Sequence, residues 1–183
     1  MKKTIQQLVL TTQTILLIHK KTMMVKQLLT AAFISVIFFS ACSKSNSGGG
    51  APCQSATVAS EKNAMVAFCV ANGVTYQTDT SGILYQIITL GTGATPSLNS
   101  KIYITYTGKL LNGTTFDMQP NASQTGWNLY SLIQGWQIAI PLIKKGGEIK
   151  MVIPSALAYG CIGSGPIPPN APLFFDVNLV DVQ

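Results

Sequence analysis

Few side chains in this 183-residue chain could act as a nucleophile, a general base or a metal ligand, and their spacing assembles no such site. The only histidine, His19, lies among the first 22 residues, ahead of a long apolar run, which removes it from any catalytic argument. Cys53, Cys69 and Cys161 have neither the paired spacing nor the partner histidine that a metal centre requires. No Ser/His/Asp set and no phosphate-cradling loop accompanies them. Aromatic residues recur instead. Trp136, Tyr159 and Phe175 stand at the joints of the stretch from Trp136 to Phe175, with Ile167 in the loop between the last two. Such a set works by desolvation, shape and hydrogen bonding, so the chemistry expected is one that an apolar pocket can do. Neither a cofactor nor a metal is expected.

The elements that must position these residues are mostly strands. Ile83, Tyr85 and Ile87 alternate with Leu84, Gln86 and Ile88. Ile102, Ile104 and Tyr106 share one face of Lys101 to Thr107, a period of two that marks half-buried strands. Asn112-Gly113 is a strong hairpin signal and turns Lys109-Leu110-Leu111 back into Thr114 to Asp117. Pro120 to Gly126 reads as a loop and Trp127 to Leu129 as a short edge piece. Leu132, Ile133, Trp136, Ile140 and Ile143 fall at helical spacing, limited by Pro141 and ended by Gly146-Gly147. Ile149, Met151 and Ile153 alternate to Pro154, and Leu173, Phe175, Val177 and Leu179 form one face of a last strand. The fold class predicted is α+β: a curled antiparallel sheet, a half-barrel, wrapped around one short α-helix. An accessory helix over Ser55 to Ala71, with Ser60 as the cap of a shorter version, packs outside it.

The ends of the chain differ in character. The net charge of +6 is concentrated before Cys42, where five lysines meet no acidic residue; from there on, seven lysines against six acids leave +1. With no arginine and no basic run interleaved with aromatics, nucleic-acid binding is excluded. Leu28 to Ala41 is a fourteen-residue uncharged apolar run behind Lys26, short of the ~20 residues that span a bilayer and suited to a signal-peptide core. It ends in Phe39-Ser-Ala-Cys42, which resembles the lipobox of bacterial lipoproteins, in which the cysteine is lipidated and becomes the new N-terminus. The division expected is a signal peptide over 1–41, a lipid anchor at Cys42 with a flexible tether to 53, an accessory helix over 54–80 and a main domain over 81–183. Residues 1–22 read as a gene-start artefact or a longer n-region. The location expected is the bacterial cell envelope, lipid-anchored and periplasm-facing. An exported compartment permits disulfides. Cys53 with Cys161 is the first choice of pair because both sit in loop-like sequence, and Cys69, on the helical pattern, is the free thiol.

In order along the chain stand Tyr106-Thr-Gly-Lys-Leu, Asn112-Gly-Thr-Thr-Phe-Asp117, Leu132-Ile-Gln-Gly-Trp136, Ile153-Pro, Ala158-Tyr-Gly160 and Ile167-Pro-Pro-Asn-Ala. From about Gly82 to Gln183 this resembles the FKBP-type peptidyl-prolyl cis-trans isomerases. Taken singly, each aromatic would pass for a core residue; the ordered set is what carries the resemblance. It implies that Trp136 floors a pocket for a substrate proline, with Tyr106, Phe116, Trp127, Leu132, Ile133 and Phe175 as walls. It further implies that Tyr159 donates its hydroxyl to a peptide carbonyl, that the Ile167 N–H is a second donor, and that Asp117 positions Tyr106. Substrates would be proline-containing polypeptides. Three departures bear on pocket shape: Met118-Gln119 after Asp117, a short Asp117–Leu132 segment, and Cys161 and Pro166 in the loop after Tyr159. They motivate an alternative, a peptide-binding chaperone module with little or no turnover.

Overall fold

The computed structural model describes residues 53–183. The signal-like run, Cys42 and the tether up to residue 52 lie outside the described residues. In chain order the elements are α1 (Val58–Ala71), β1 (Gln77–Thr78), β2 (Leu84–Thr89), β3 (Lys101–Leu110), β4 (Thr115–Gln119), β5 (Trp127–Asn128), α2 (Gln134–Ala139), β6 (Gly147–Ile153) and β7 (Leu173–Val182). All strands join one sheet of order β1-β2-β6-β7-β3-β4, every neighbouring pair antiparallel, and β5 pairs with β3 off that path. The Asn112-Gly113 turn closes the β3–β4 hairpin: Gly113 adopts φ +89°, and Leu110 and Thr114 pair across it.

Alternation along the strands divides the sheet into two faces. On the inner face Ile102, Ile104, Ile149, Met151, Ile153, Leu173, Phe175, Val177 and Leu179 are buried against Trp136, Ala139, Ile140 and Ile143. The helix is shorter than its apolar spacing predicts. Leu132 and Ile133 are still extended, α2 proper covers six residues, and Ile140–Leu142 finishes as a 3₁₀ turn around Pro141. Proline accounts for the change, because it has no N–H to continue the i→i−4 ladder. Gly135 brings the helix against β6: a Cβ there would lie 2.7 Å from Ile153 Cδ1, and nearer still to its Cγ2.

The outer face carries a second core. α1 lays Met65, Phe68 and Cys69 over Leu84, Val152 and Phe174, with the rings of Phe68 and Phe174 5.1 Å apart. Full burial of side chains of this kind contributes about 2 kcal/mol each. The helix starts later than Ser55, and its cap is Thr57: the Thr57 Oγ1 accepts from the Ser60 N–H at 3.2 Å, so Ser60 is capped rather than capping. Glu61, in its first turn, is buried on this apolar stripe. Its carboxylate accepts from the Ser155 N–H (2.8 Å) and the Ser155 hydroxyl (2.5 Å), and Ser155 is fully buried. Among the described residues no helix is long and apolar enough to cross a membrane.

Truncating Glu61 would leave both Ser155 donors buried without an acceptor, each costing ~1–3 kcal/mol. Glu61→Ala is therefore expected to lower unfolding stability by about 2–4 kcal/mol in urea titrations. A change below about 0.5 kcal/mol, the range of ordinary surface substitutions, would show that the pair holds nothing.

Candidate active site

The inner face opens between β3, β4, α2 and the loop after β6 into a cavity of about 280 Å³. Tyr106, Phe116, Asp117, Trp127, Ser131, Leu132, Ile133, Trp136, Tyr159 and Phe175 line it. Each reaches it for a local reason. Tyr106 and Phe175 occupy inward positions of β3 and β7, and the register sets Tyr106 opposite Val177 and Phe175 opposite Gly108. Gly108 makes room for rings: a Cβ at that point would fall 2.7 Å from Phe116 Cζ and 2.9 Å from Phe175 Cε1. Trp136 comes from α2, and Leu132 and Ile133 from the extended segment before it.

The rings pack edge to face. Trp136 lies 5.2 Å from Tyr106 and 5.1 Å from Phe175, with interplanar angles of 84° and 83°; Phe116 meets Phe175 at 5.6 Å and 90°. Trp127 tilts against Tyr106 at 6.0 Å. This is the arrangement that ring quadrupoles favour, and it leaves a stiff wall. The Trp136 indole N–H is buried without an acceptor among the described residues, so packing alone holds that ring.

Tyr106, Asp117, Ser131 and Tyr159 interrupt the apolar surface with polar groups. The Tyr106 hydroxyl donates to Asp117 Oδ2 at 2.5 Å, which anchors the ring at one end of the cavity. Burial first, and then the Asp117 carboxylate, push the Tyr106 phenol well above its ordinary value. Tyr159, 38% exposed, is raised by burial and by the charge of Asp117. Both phenols therefore stay protonated; Tyr106 spends its proton on Asp117, and the Tyr159 hydroxyl has no acceptor among the described residues. At the start of the helix the N–H groups of Ile133, Gln134 and Gly135 have no acceptor among the described residues, as is usual for a first helical turn.

Two expectations change on this geometry. Ile167 does not line the cavity: its side chain is 6% exposed within the core, and its N–H donates to the Ser164 carbonyl at 2.9 Å. The loop folds back on itself between Ser164 and Ile167 and so consumes that donor. Met118 and Gln119 do not narrow the cavity either; they border a separate polar depression with Thr105, Thr107, Glu148 and Asp176. Ser131 was not legible as a pocket residue, since it belongs to no motif and is placed only by the turn before Leu132. Cys161 is joined to Cys53 in a disulfide whose Cα atoms are 5.6 Å apart, behind Tyr159 in the chain, and Cys69 is a buried free thiol raised by desolvation. Among the described residues no group of His, Cys, Asp or Glu is placed to hold a metal ion.

Residues 93–180 match the family model described as FKBP-type peptidyl-prolyl cis-trans isomerase. The FKBP-type isomerase FkpA of Escherichia coli K12 is 40% identical over 108 residues, covering 58% of this chain and 40% of that protein. A probable FKBP-type isomerase of Haemophilus influenzae is 41% identical over 115 residues, 62% of this chain and 48% of its own. The chain thus spans less than half the length of these curated relatives. Among solved structures, a peptidyl-prolyl cis-trans isomerase of Pseudomonas syringae superposes with a TM-score of 0.57 at 31% identity, covering 71% of this chain and 98% of that one. The crystal structure of Escherichia coli FkpA gives 0.59 at 37% identity, covering 68% and 58%.

A phenol held protonated in the folded state favours folding as long as the unfolded chain keeps its own proton. This contribution is whole below the unfolded value near ~10 and fades as pH rises through the folded values. A phenolate absorbance titration is expected to show late ionisation steps above the ordinary tyrosine value of ~10, and Tyr106→Phe should remove one of them. Ionisation of all the tyrosines together near pH ~10 would contradict the burial and Asp117 effects.

Proposed function

The chain belongs to the FKBP-type peptidyl-prolyl cis-trans isomerase family, and on that premise we propose that its aromatic cavity isomerises X–Pro bonds in polypeptides, assisting the folding of exported proteins. The observation that carries this reading is the cavity itself: about 280 Å³ walled by edge-packed rings, with neutral donors and without a histidine among the described residues.

An X–Pro bond resists rotation by ~18–20 kcal/mol, because rotation breaks amide resonance, and left alone it isomerises in ~10–100 s. The twisted amide is less dipolar than the planar one. A dry aromatic cavity disfavours the planar ground state more than the twisted state, and only that difference accelerates the step. In this assignment the Trp136 indole receives the proline ring, and Tyr106, Phe116, Trp127 and Phe175 exclude water around it. The Ile133 N–H and the Tyr159 hydroxyl donate to the carbonyls that flank the rotating bond, which adds an electrostatic contribution where charge shifts. Asp117 keeps the Tyr106 hydroxyl occupied and its ring in place. It acts by positioning, and no proton transfer is required.

For location, the same reading takes Cys42 as the site of a lipid anchor and the following Ser/Gly segment as its tether, with the domain facing the periplasm. The Cys53–Cys161 disulfide supports an exported compartment, since such bonds persist in oxidising surroundings.

A protease-coupled proline-peptide assay on the full chain tests the activity, and a rate no faster than the uncatalysed one rejects it. Trp136→Leu and Asp117→Val are expected to lower kcat/KM by about tenfold or more, the scale of misplaced binding groups, with the circular dichroism of the domain retained. Gly108→Ala should do the same by pushing Phe116 and Phe175 into the cavity; unaltered turnover there would mean that the rings do not shape the substrate site.

A further inference from the structure

The loop that carries Tyr159 is held from behind by the segment that precedes α1. Cys53 is bonded to Cys161, two residues beyond Tyr159. Asn170, at the far end of the loop, sits in the left-handed region at φ +54° as a non-glycine residue, and its side chain spans the two segments: Oδ1 accepts from the Ala56 N–H (2.8 Å) and Nδ2 donates to the Gln54 carbonyl (3.1 Å). At the near end the buried Glu61 carboxylate takes both donors of Ser155. Between these ties the loop has backbone bonds of its own: Ala158 and Gly160 N–H to Ser155, Gly163 N–H to Tyr159, the reciprocal pair of Ser164 and Ile167, and Asn170 N–H to Gly160. Leu157, Ala158 and Ile167 pack on the main core towards its two ends, whereas Ile162 in its middle, next to the disulfide, is 80% exposed. An exposed loop middle of this kind is expected to be among the first parts of a domain to open, unless something outside it supplies the restraint.

We infer that the segment from Cys53 to Glu61 is a positioning element of the active site, which ties down both ends of the Ser155–Asn170 loop and so sets where the Tyr159 hydroxyl meets the substrate. The role rests on the isomerase reading above for its substrate. Its mechanical part, the restraint on the loop, stands independently. Cys53, Asn170 and Glu61 touch no substrate in this arrangement and act only through Tyr159.

The ties can be cut without disturbing the core. Cys53→Ser with Cys161→Ser removes the covalent link. Asn170→Gly keeps the left-handed backbone and deletes only the side-chain bridge. Hydrogen exchange on the full chain reads the restraint. In either variant amides 156–170 are expected to exchange about tenfold faster, with those of β6 and β7 unchanged. Activity reads its consequence: at a temperature where the variants are fully folded, kcat/KM should fall by about tenfold. That loss should vanish when the same changes are made in a Tyr159→Phe background, because coupled residues are not additive. A merely stabilising strap would lower the melting temperature and leave this cycle additive. Unchanged exchange in 156–170, or an equal loss with and without the Tyr159 hydroxyl, overturns the inference. If the wild-type chain itself shows no isomerase activity, the isomerase reading fails instead. The exchange data, and the same cycle read on proline-peptide affinity by tryptophan fluorescence, then decide the positioning role by themselves.

Discussion

Trp136 meets both Tyr106 and Phe175 from a helix that lies directly on the Ile153 side chain of β6, with no side chain of its own at the point of contact. Gly135 provides that closeness, since any larger residue would run into Ile153. The helix is only six residues long, too short to be stable by its own hydrogen bonds, so tertiary packing must hold it. The ring contacts near 5 Å and the cavity they enclose depend on that approach. Gly108 serves the opposite wall in the same way. There, the absent side chain leaves space that Phe116 and Phe175 fill.

The sheet is buried on both sides where the end of β6 meets the start of β7, and the two sides serve different ends. The inner side chains support the cavity, whereas Val152 and Phe174 on the outer side receive α1. Ser155 directly follows β6 and Pro154, so a buried bond from α1 to Ser155 bears on the start of the Tyr159 loop. An element that looks peripheral in the chain thereby touches the same structural joint as the site. This is the physical basis for assigning the N-terminal segment more than a packing role.

Much of the framework was legible because it rests on local rules. Alternating Ile102-Ile104-Tyr106 and Leu173-Phe175-Val177-Leu179 must turn one face inward, and Asn112-Gly113 can adopt the backbone that a tight hairpin needs. Glu61 left a faint signal: it stands four residues before Met65 and seven before Phe68, a charge on a buried stripe, which is unusual unless it has a partner. That partner is ninety-four residues away, and no local pattern could name it. Ile167 illustrates the converse. Its motif identified the loop correctly, but whether an amide is free depends on how the chain closes around Ser164, and this closure was not visible in Ile-Pro-Pro.

Residue type and spacing alone thus determined the kind of chain this is: strand periods, one proline-limited helix and an ordered aromatic set. These follow from the chain's neighbours within a few positions, where steric and hydrophobic rules act directly. Only the tertiary structure decided which amides remain unpaired, which rings meet edge to face, that Met118 borders another depression than the cavity, and that Cys53, Ala56 and Glu61 bear on a loop about a hundred residues later. Those outcomes depend on the meeting of segments distant in sequence, and in a close-packed interior a single missing Cβ or one satisfied donor is enough to decide them.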